Sequence, residues 1–319
     1  MRGGWVRILL LHAVVLGALF AAQFFLAPYH YTNVARIMVL ATFAIGFNVL
    51  FGYTGLMSLG HAMFFAVGMY TTGMTVYYLE WTSMPALAAG VAAGACFAAV
   101  FGSFALRTSG VSFLIVTMMF GQALYLTILY FNEYTFGDQG FSLSSVLPAL
   151  SIGGREFAFS EPVVKYNGAW LVFFVALSLS LLLAASPIGR VLIGLRENEE
   201  RARMLGYNTF RYKLLALVVS GAIAAGAGAA YALLFSYVGA SFASILYSIY
   251  PLLWTLLGGA GTTLGPLLGT GLMYYLIDVA SEWTSAYLFI VGGALVVLVL
   301  WFPEGILGTV RKRWLRWLP

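Results

Sequence analysis

The side chains able to carry chemistry are few: three histidines, one cysteine, three lysines and eleven carboxylates in a 319-residue chain. His12, His30 and His61 lie far apart, and the His-Glu-x-x-His spacing that puts two imidazoles on one helical face is absent. Cys96 is single, so it closes no disulfide within the chain and builds no thiolate metal site. None of Lys165, Lys213 and Lys312 follows a glycine, which excludes a Walker A phosphate loop. No acid, base and nucleophile fall together as a reaction centre would need. The expectation is a protein that is not an enzyme, with no metal and no cofactor. Any ATP it depends on is bound by another chain.

Ion-coupled transport is a further chemistry to weigh, because an acid inside a membrane is costly and usually functional. Glu80, Asp278 and Glu282 are the acids closest to apolar span ends, and none sits in a clear span centre. They read as interfacial helix caps, so coupling to protons or sodium is not expected. Tyr77, Tyr78 and Trp81 read as interfacial anchors. His61 admits two readings. Ser58 is a good N-cap for a helix through Phe64, Phe65 and Tyr70, which puts His61 in its first turn. There it is either a buried histidine bonded to a neighbouring carbonyl or a polar group lining a translocation path.

The elements that hold these residues follow from composition. The chain is 62% hydrophobic and 8% charged, with mean hydropathy +0.94. A soluble domain carries about 25% charged residues, and so apolar a chain collapses rather than staying disordered. The fold class expected is all-α, a polytopic integral membrane protein of about nine or ten spans including glycine-broken half-helices. Candidate spans are Val6–Ala27 (an uncleaved first helix, too long for a signal peptide), Val34–Phe51, Leu56–Leu79, Pro85–Leu106, Val111–Phe131, Gly168–Ala185, Leu214–Tyr237 and Ala286–Phe302. The net charge of +5 gathers beside these spans: nine charged residues lie from Arg190 to Lys213 and four basic ones from Arg311 to Arg316. This is the positive-inside pattern and not a nucleic-acid surface.

With a cytoplasmic amino terminus, the acidic segment 132–167 falls outside, and the charged block and basic tail fall inside. That count requires Ala243–Val279 to return to its starting side. Gly258-Gly259-Ala260-Gly261-Thr262-Thr263-Leu264-Gly265-Pro266 allows it, since glycine and proline break helices. Two half-helices meeting near membrane depth are expected there, buried or lining a wet cavity. A second break, Gly52-Tyr53-Thr54-Gly55-Leu56-Met57-Ser58-Leu59-Gly60, shares the Gly-x-x-Gly, hydroxyl, Leu-Gly order and hints at an internal repeat.

The block from 190 to 213 reads as a device. Asn198 caps a short helix with Glu199 and Glu200 in its first turn, Glu199 and Arg203 pair four apart, and Gly206 supplies a left-handed stop. A segment that only set topology would not need such caps. The run Arg196-Glu197-Asn198-Glu199-Glu200-Arg201-Ala202-Arg203-Met204-Leu205-Gly206-Tyr207 with Arg211-Tyr212-Lys213-Leu214 resembles the coupling-helix region of LivM-type permeases. These are membrane subunits of ATP-binding-cassette importers for branched-chain amino acids. Ser186–Leu192, Gly52–Tyr70, Gly137-Asp138-Gln139-Gly140 and Gly258–Gly269 are similar to that family too, so the resemblance covers nearly the whole chain. The usual Glu-Ala-Ala and Gly signature is met at Glu200, Ala202 and Gly206, with Arg201 in a small-residue position.

The resemblance implies a single transmembrane permease domain over 1–319 in the bacterial inner membrane. Residues 132–167 would be an external loop, 187–213 a cytoplasmic coupling segment and 303–319 a basic cytoplasmic tail. It implies as partners two ATPase subunits, a second related permease and an extracytoplasmic solute-binding protein. Coupling would run through Glu199, Glu200, Ala202, Arg203 and Gly206. The turns with Gly55, Ser58, Gly60 and His61, and with Gly261, Thr262, Thr263 and Gly265, would line the path. Bulky residues at Gly60 or Gly261 should then abolish uptake without harming assembly. Two alternatives stay open: a permease on this scaffold for another small polar solute such as urea or an amide, and a self-sufficient channel or secondary carrier.

Overall fold

The computed structural model describes residues 2–147, 150–152, 155–284 and 286–314. Arg316 and the rest of the tail beyond 314 lie outside the described residues. The elements are α1 (Arg2–Ala22), α2 (Pro28–Thr54), α3 (Ala62–Leu79), α4 (Ser83–Ala105), α5 (Val111–Tyr130), α6 (Asn132–Thr135), β1 (Phe141–Ser142), β2 (Leu150–Ile152), β3 (Arg155–Phe157), α7 (Pro162–Ala185), α8 (Pro187–Glu197), α9 (Glu199–Met204), α10 (Thr209–Phe235), β4 (Tyr237–Val238), a 3₁₀ turn (Ala240–Ala243), α11 (Ile245–Gly258), α12 (Gly265–Trp283), α13 (Tyr287–Trp301) and α14 (Ile306–Arg313). The chain is thus all-α and polytopic, with each apolar stretch of the sequence forming a helix.

Two helices of 27 residues, α2 and α10, make the core. The most apolar stretch of α2 is 83% buried and that of α10 67%, against 28% for α4 and 22% for α5. Hydropathy does not explain the difference; position does, because α2 and α10 pack on each other and are flanked by α3, α4, α7, α11 and α12. In lipid, helices associate through close backbone packing. A Cβ on Gly68 would fall 2.0 Å from the Ala225 carbonyl oxygen, and one on Gly228 would fall 1.9 Å from that of Phe65. The α3–α10 seam therefore admits no side chain at either point. The core helices run antiparallel: the Ser220 hydroxyl donates to the Gly46 carbonyl at 2.6 Å, while Arg36 lies 5.1 Å from the Phe235 ring.

Each core helix ends in a left-handed residue and feeds a non-helical connector. Gly55 (φ 74) ends α2, and Ser236 (φ 52) ends α10. Residues 55–61 then lead to the 18-residue α3, and residues 236–244 to the 14-residue α11. The two shorter helices meet inside the bundle, where the Ala62 N–H at the start of α3 donates to the Ser248 hydroxyl of α11 at 3.0 Å. This is an inverted pair, α2–α3 against α10–α11. Of the two glycine-rich sequences expected to form an internal repeat, 55–61 joins α2 to α3 and 259–264 joins α11 to α12.

At one end of the bundle β1 pairs with β4, and the β2–β3 hairpin lies in the same 132–161 connection. At the other end lies the charged segment between α7 and α10. The glycine break 259–264 sits toward this charged end, level with Asn48 and Gly52 of α2. Only α11 is a half-helix, because α12 has 19 residues, about 28 Å. The two form a hairpin so tight that a Cβ on Gly269 would fall 1.8 Å from the Trp254 carbonyl oxygen.

Candidate functional site

The charged end is built from local capping. Ser186 accepts from the Gly189 N–H (3.1 Å) and Pro187 opens α8, where its fixed φ suits the first turn. Asn198 ends α8 in an extended conformation and accepts from the Arg201 N–H at 2.8 Å, starting α9. Gly206 (φ 87) then stops α9, and Asn208 caps α10 by accepting from Arg211 N–H at 3.1 Å. Glu199 takes Lys213 of α10 at 2.5 Å and Arg203 at 3.8 Å. Burial raises the Glu199 carboxyl pKa, but the Lys213 hydrogen bond and charge outweigh that and hold it below the ordinary glutamate value. Ala202 is buried, Glu200 and Arg203 face outward, and Met204 and Leu205 are 81% and 71% exposed. Glu199, Glu200, Ala202 and Arg203 thus share one short, braced helix, with Gly206 just past its end beside an apolar tip.

A residue without an assigned role in the sequence reading links this segment to both glycine breaks. Arg196 of α8 donates to the Gly52 carbonyl, and its Nη1 would be 3.0 Å from a Cβ on Gly261. Asn48 closes the junction from the α2 side. Its amide nitrogen donates to the Thr262 carbonyl (2.9 Å), and its oxygen accepts the Gly261 N–H (2.9 Å). Arg311 of α14 reaches the Gly261 carbonyl at 3.3 Å. Beside them opens a cleft of about 640 Å³ lined by Arg196, Thr262, Glu304, Arg311 and Lys312. From the far side, His12 of α1 donates through Nδ1 to the Ile8 carbonyl (2.7 Å), leaving Nε2 to accept from the Thr263 hydroxyl (2.7 Å).

The path residues expected in the first break divide in two. Gly55 is exposed beside Arg196, whereas Ser58, Gly60 and His61 are buried deeper in the bundle. Ser58 does not cap α3. The Gly60 backbone is pressed against α5, where a Cβ would fall 1.9 Å from the Thr117 carbonyl oxygen, and the Leu59 N–H donates to the Thr117 hydroxyl at 3.2 Å. Ser248 serves the α3 terminus instead, and His61 occupies the N-cap position. His61 is fully buried among Phe43, Phe47 and Phe64, with Nε2 3.4 Å from the Ser220 hydroxyl and Nδ1 unpartnered. No carbonyl takes it. Thr262, Thr263 and Gly265 are buried against α1, α2 and α11.

A second cavity of about 660 Å³, between α4, α7 and α10, has almost wholly apolar walls including Leu87, Val91 and Leu171. Its lining holds no charged side chain, only Thr42, Ser83 and Asn167 as polar ones. Among the described residues no group of three or more His, Cys, Asp or Glu gathers as a metal site.

The permease LivM of the high-affinity branched-chain amino acid transport system of Salmonella typhimurium is 30% identical over 300 residues, covering 86% of this chain and 69% of the relative. LivM of Escherichia coli K12 is likewise 30% identical with the same coverage. The companion permease LivH of Salmonella typhimurium is 28% identical over 288 residues, 84% of this chain and 91% of the relative. No solved structure matches the chain. Residues 31–300 match the branched-chain amino acid transport system permease components, and the chain belongs to that family.

Proposed function

We propose that this chain is the membrane-spanning permease subunit of an ATP-binding-cassette importer that moves leucine, isoleucine and valine across the bacterial inner membrane. Family membership over residues 31–300 carries the reading. Separate ATPase subunits bind the fuel, a second related permease completes the membrane body, and an extracytoplasmic binding protein delivers the solute to the 132–167 side. The charged end faces the cytoplasm, as the basic residues of 190–213 and 311–313 favour.

In this reading Glu199, Glu200, Ala202, Arg203 and Gly206 form the surface on which an ATPase pushes. Glu199 braces α9 on α10, and Arg196 carries displacement of α8 to Gly52 and the Gly261 turn. Coupling is a free-energy link between two surfaces that contact one bistable body. Those contacts give the link a physical route. Gly55, Ser58, Gly60, His61, Gly261, Thr262, Thr263 and Gly265 line or shape the path. The α3 amino terminus inside the bundle offers a positive dipole end suited to a carboxylate.

Reconstitution tests the reading. The chain with its ATPases, permease partner and binding protein should take up labelled leucine only with ATP. Glu200→Arg should leave ATP hydrolysis running while uptake falls. ATP-independent uptake by the lone chain in liposomes, or normal coupling in that variant, would overturn it.

A further inference from the structure

Arg36 is the only charged side chain in the 27 residues of α2, and it stands near the end opposite the charged segment. It is half-buried over the Phe235 ring (5.1 Å), with Tyr231, Tyr247 and Tyr274 around it. Among the described residues no carboxylate pairs with it. Its one hydrogen bond, Nη1 to the Tyr274 hydroxyl, spans 3.5 Å, and its Nε is buried without an acceptor.

Asn33 lies one turn earlier on the same face of α2. Its Oδ1 accepts from the Tyr274 hydroxyl at 3.3 Å, while its Nδ2 is buried and unmet. Tyr29, whose hydroxyl donates to Asp278 at 2.5 Å, also lies within hydrogen-bonding reach of the Asn33 amide. Arg36 donates to Tyr274 and Asn33 accepts from it, so the Arg36 Nε–H and the Asn33 Nδ2 group remain short of acceptors. Buried donors are normally satisfied, and an unpaired arginine at membrane depth is costly and marks function. A pocket rich in donors and poor in acceptors is completed by an anion, and a guanidinium fits a carboxylate in a bidentate pair.

We infer that Arg36 and Asn33 form the recognition site for the carboxylate of the amino acid as it enters between α2 and α12. Phe235, Tyr231 and Tyr247 supply an aromatic wall for the aliphatic side chain. This rests on the importer reading above and adds where the cargo's charged end is held.

The test uses the complete complex in proteoliposomes, measuring leucine uptake and ATP hydrolysis stimulated by the loaded binding protein. Arg36→Gln should reduce ATP-driven uptake about ten- to a hundredfold, the worth of one charged hydrogen-bonded contact. Arg36→Lys, which keeps the charge but loses the bidentate fork, should restore part of the uptake, with KM still above that of the parent. Asn33→Leu, which removes the second donor and leaves Arg36 in place, should lower uptake independently of any assembly defect in the arginine variants. Normal uptake in Arg36→Gln or Asn33→Leu would overturn the assignment. If the parent complex itself moves no leucine with ATP, the importer reading fails instead.

Discussion

Glu199 binds Lys213 and Arg203 at once, and its consequence is a pH dependence of definite sign. Its folded-state pKa is depressed, so the stabilisation is present above the ordinary glutamate value and is lost as pH falls through the lowered one. The carboxyl side chain is 35% exposed, so solvent screening keeps the contribution below about 1 kcal/mol. Thermal midpoints of the parent and Glu199→Gln should differ at neutral pH and converge in acid; equal midpoints at neutral pH would remove the brace. The caps of this segment were legible because they are local: Asn198 and Gly206 act within three residues or through their own φ. Arg196 and Asn48 were not, since their partners lie 144 and 213 residues away. Asn48 did carry a hint as a lone amide in the apolar run Val34–Phe51, where a polar group needs a partner.

At the scale of elements, the two glycine-rich breaks answer differently to added bulk. Gly60→Val sets a side chain into the Thr117 backbone and forces α5 off the connector, at a cost of about 1–3 kcal/mol or more. The outcome should be a fall in the yield of assembled complex, read by size exclusion. The earlier expectation of intact assembly at this position is corrected on that ground. At Gly261 the nearest atom is the movable end of Arg196, and the cost is mainly the left-handed backbone (φ 78), about 1–2 kcal/mol. Gly261→Ala should assemble with uptake reduced. The first break was readable because glycines punctuate an apolar run. The 236–244 connector was not: it reads as more apolar chain, and Ser236 adopts its left-handed turn without a glycine.

For the whole molecule, orientation is the property on which the functional reading depends, and two exposed positions report it. With Cys96 replaced, Met204→Cys and Tyr134→Cys place single thiols at opposite ends of the bundle, on residues 81% and 59% exposed. A membrane-impermeant maleimide added to intact cells should label the second and spare the first. The reverse pattern would invert the topology and detach α9 from any cytoplasmic motor. The all-helical class and the span order were legible from hydropathy, because lipid demands it. Which helices form the core was not, since α2, α4 and α10 have nearly equal hydropathy and differ in where long-range packing places them. The apolar tip of α9 has a further consequence. Two large aliphatic side chains held out on a charged surface are sticky wherever nothing covers them. A copy of this subunit with nothing over Met204 and Leu205 thus carries its own mark for clumping.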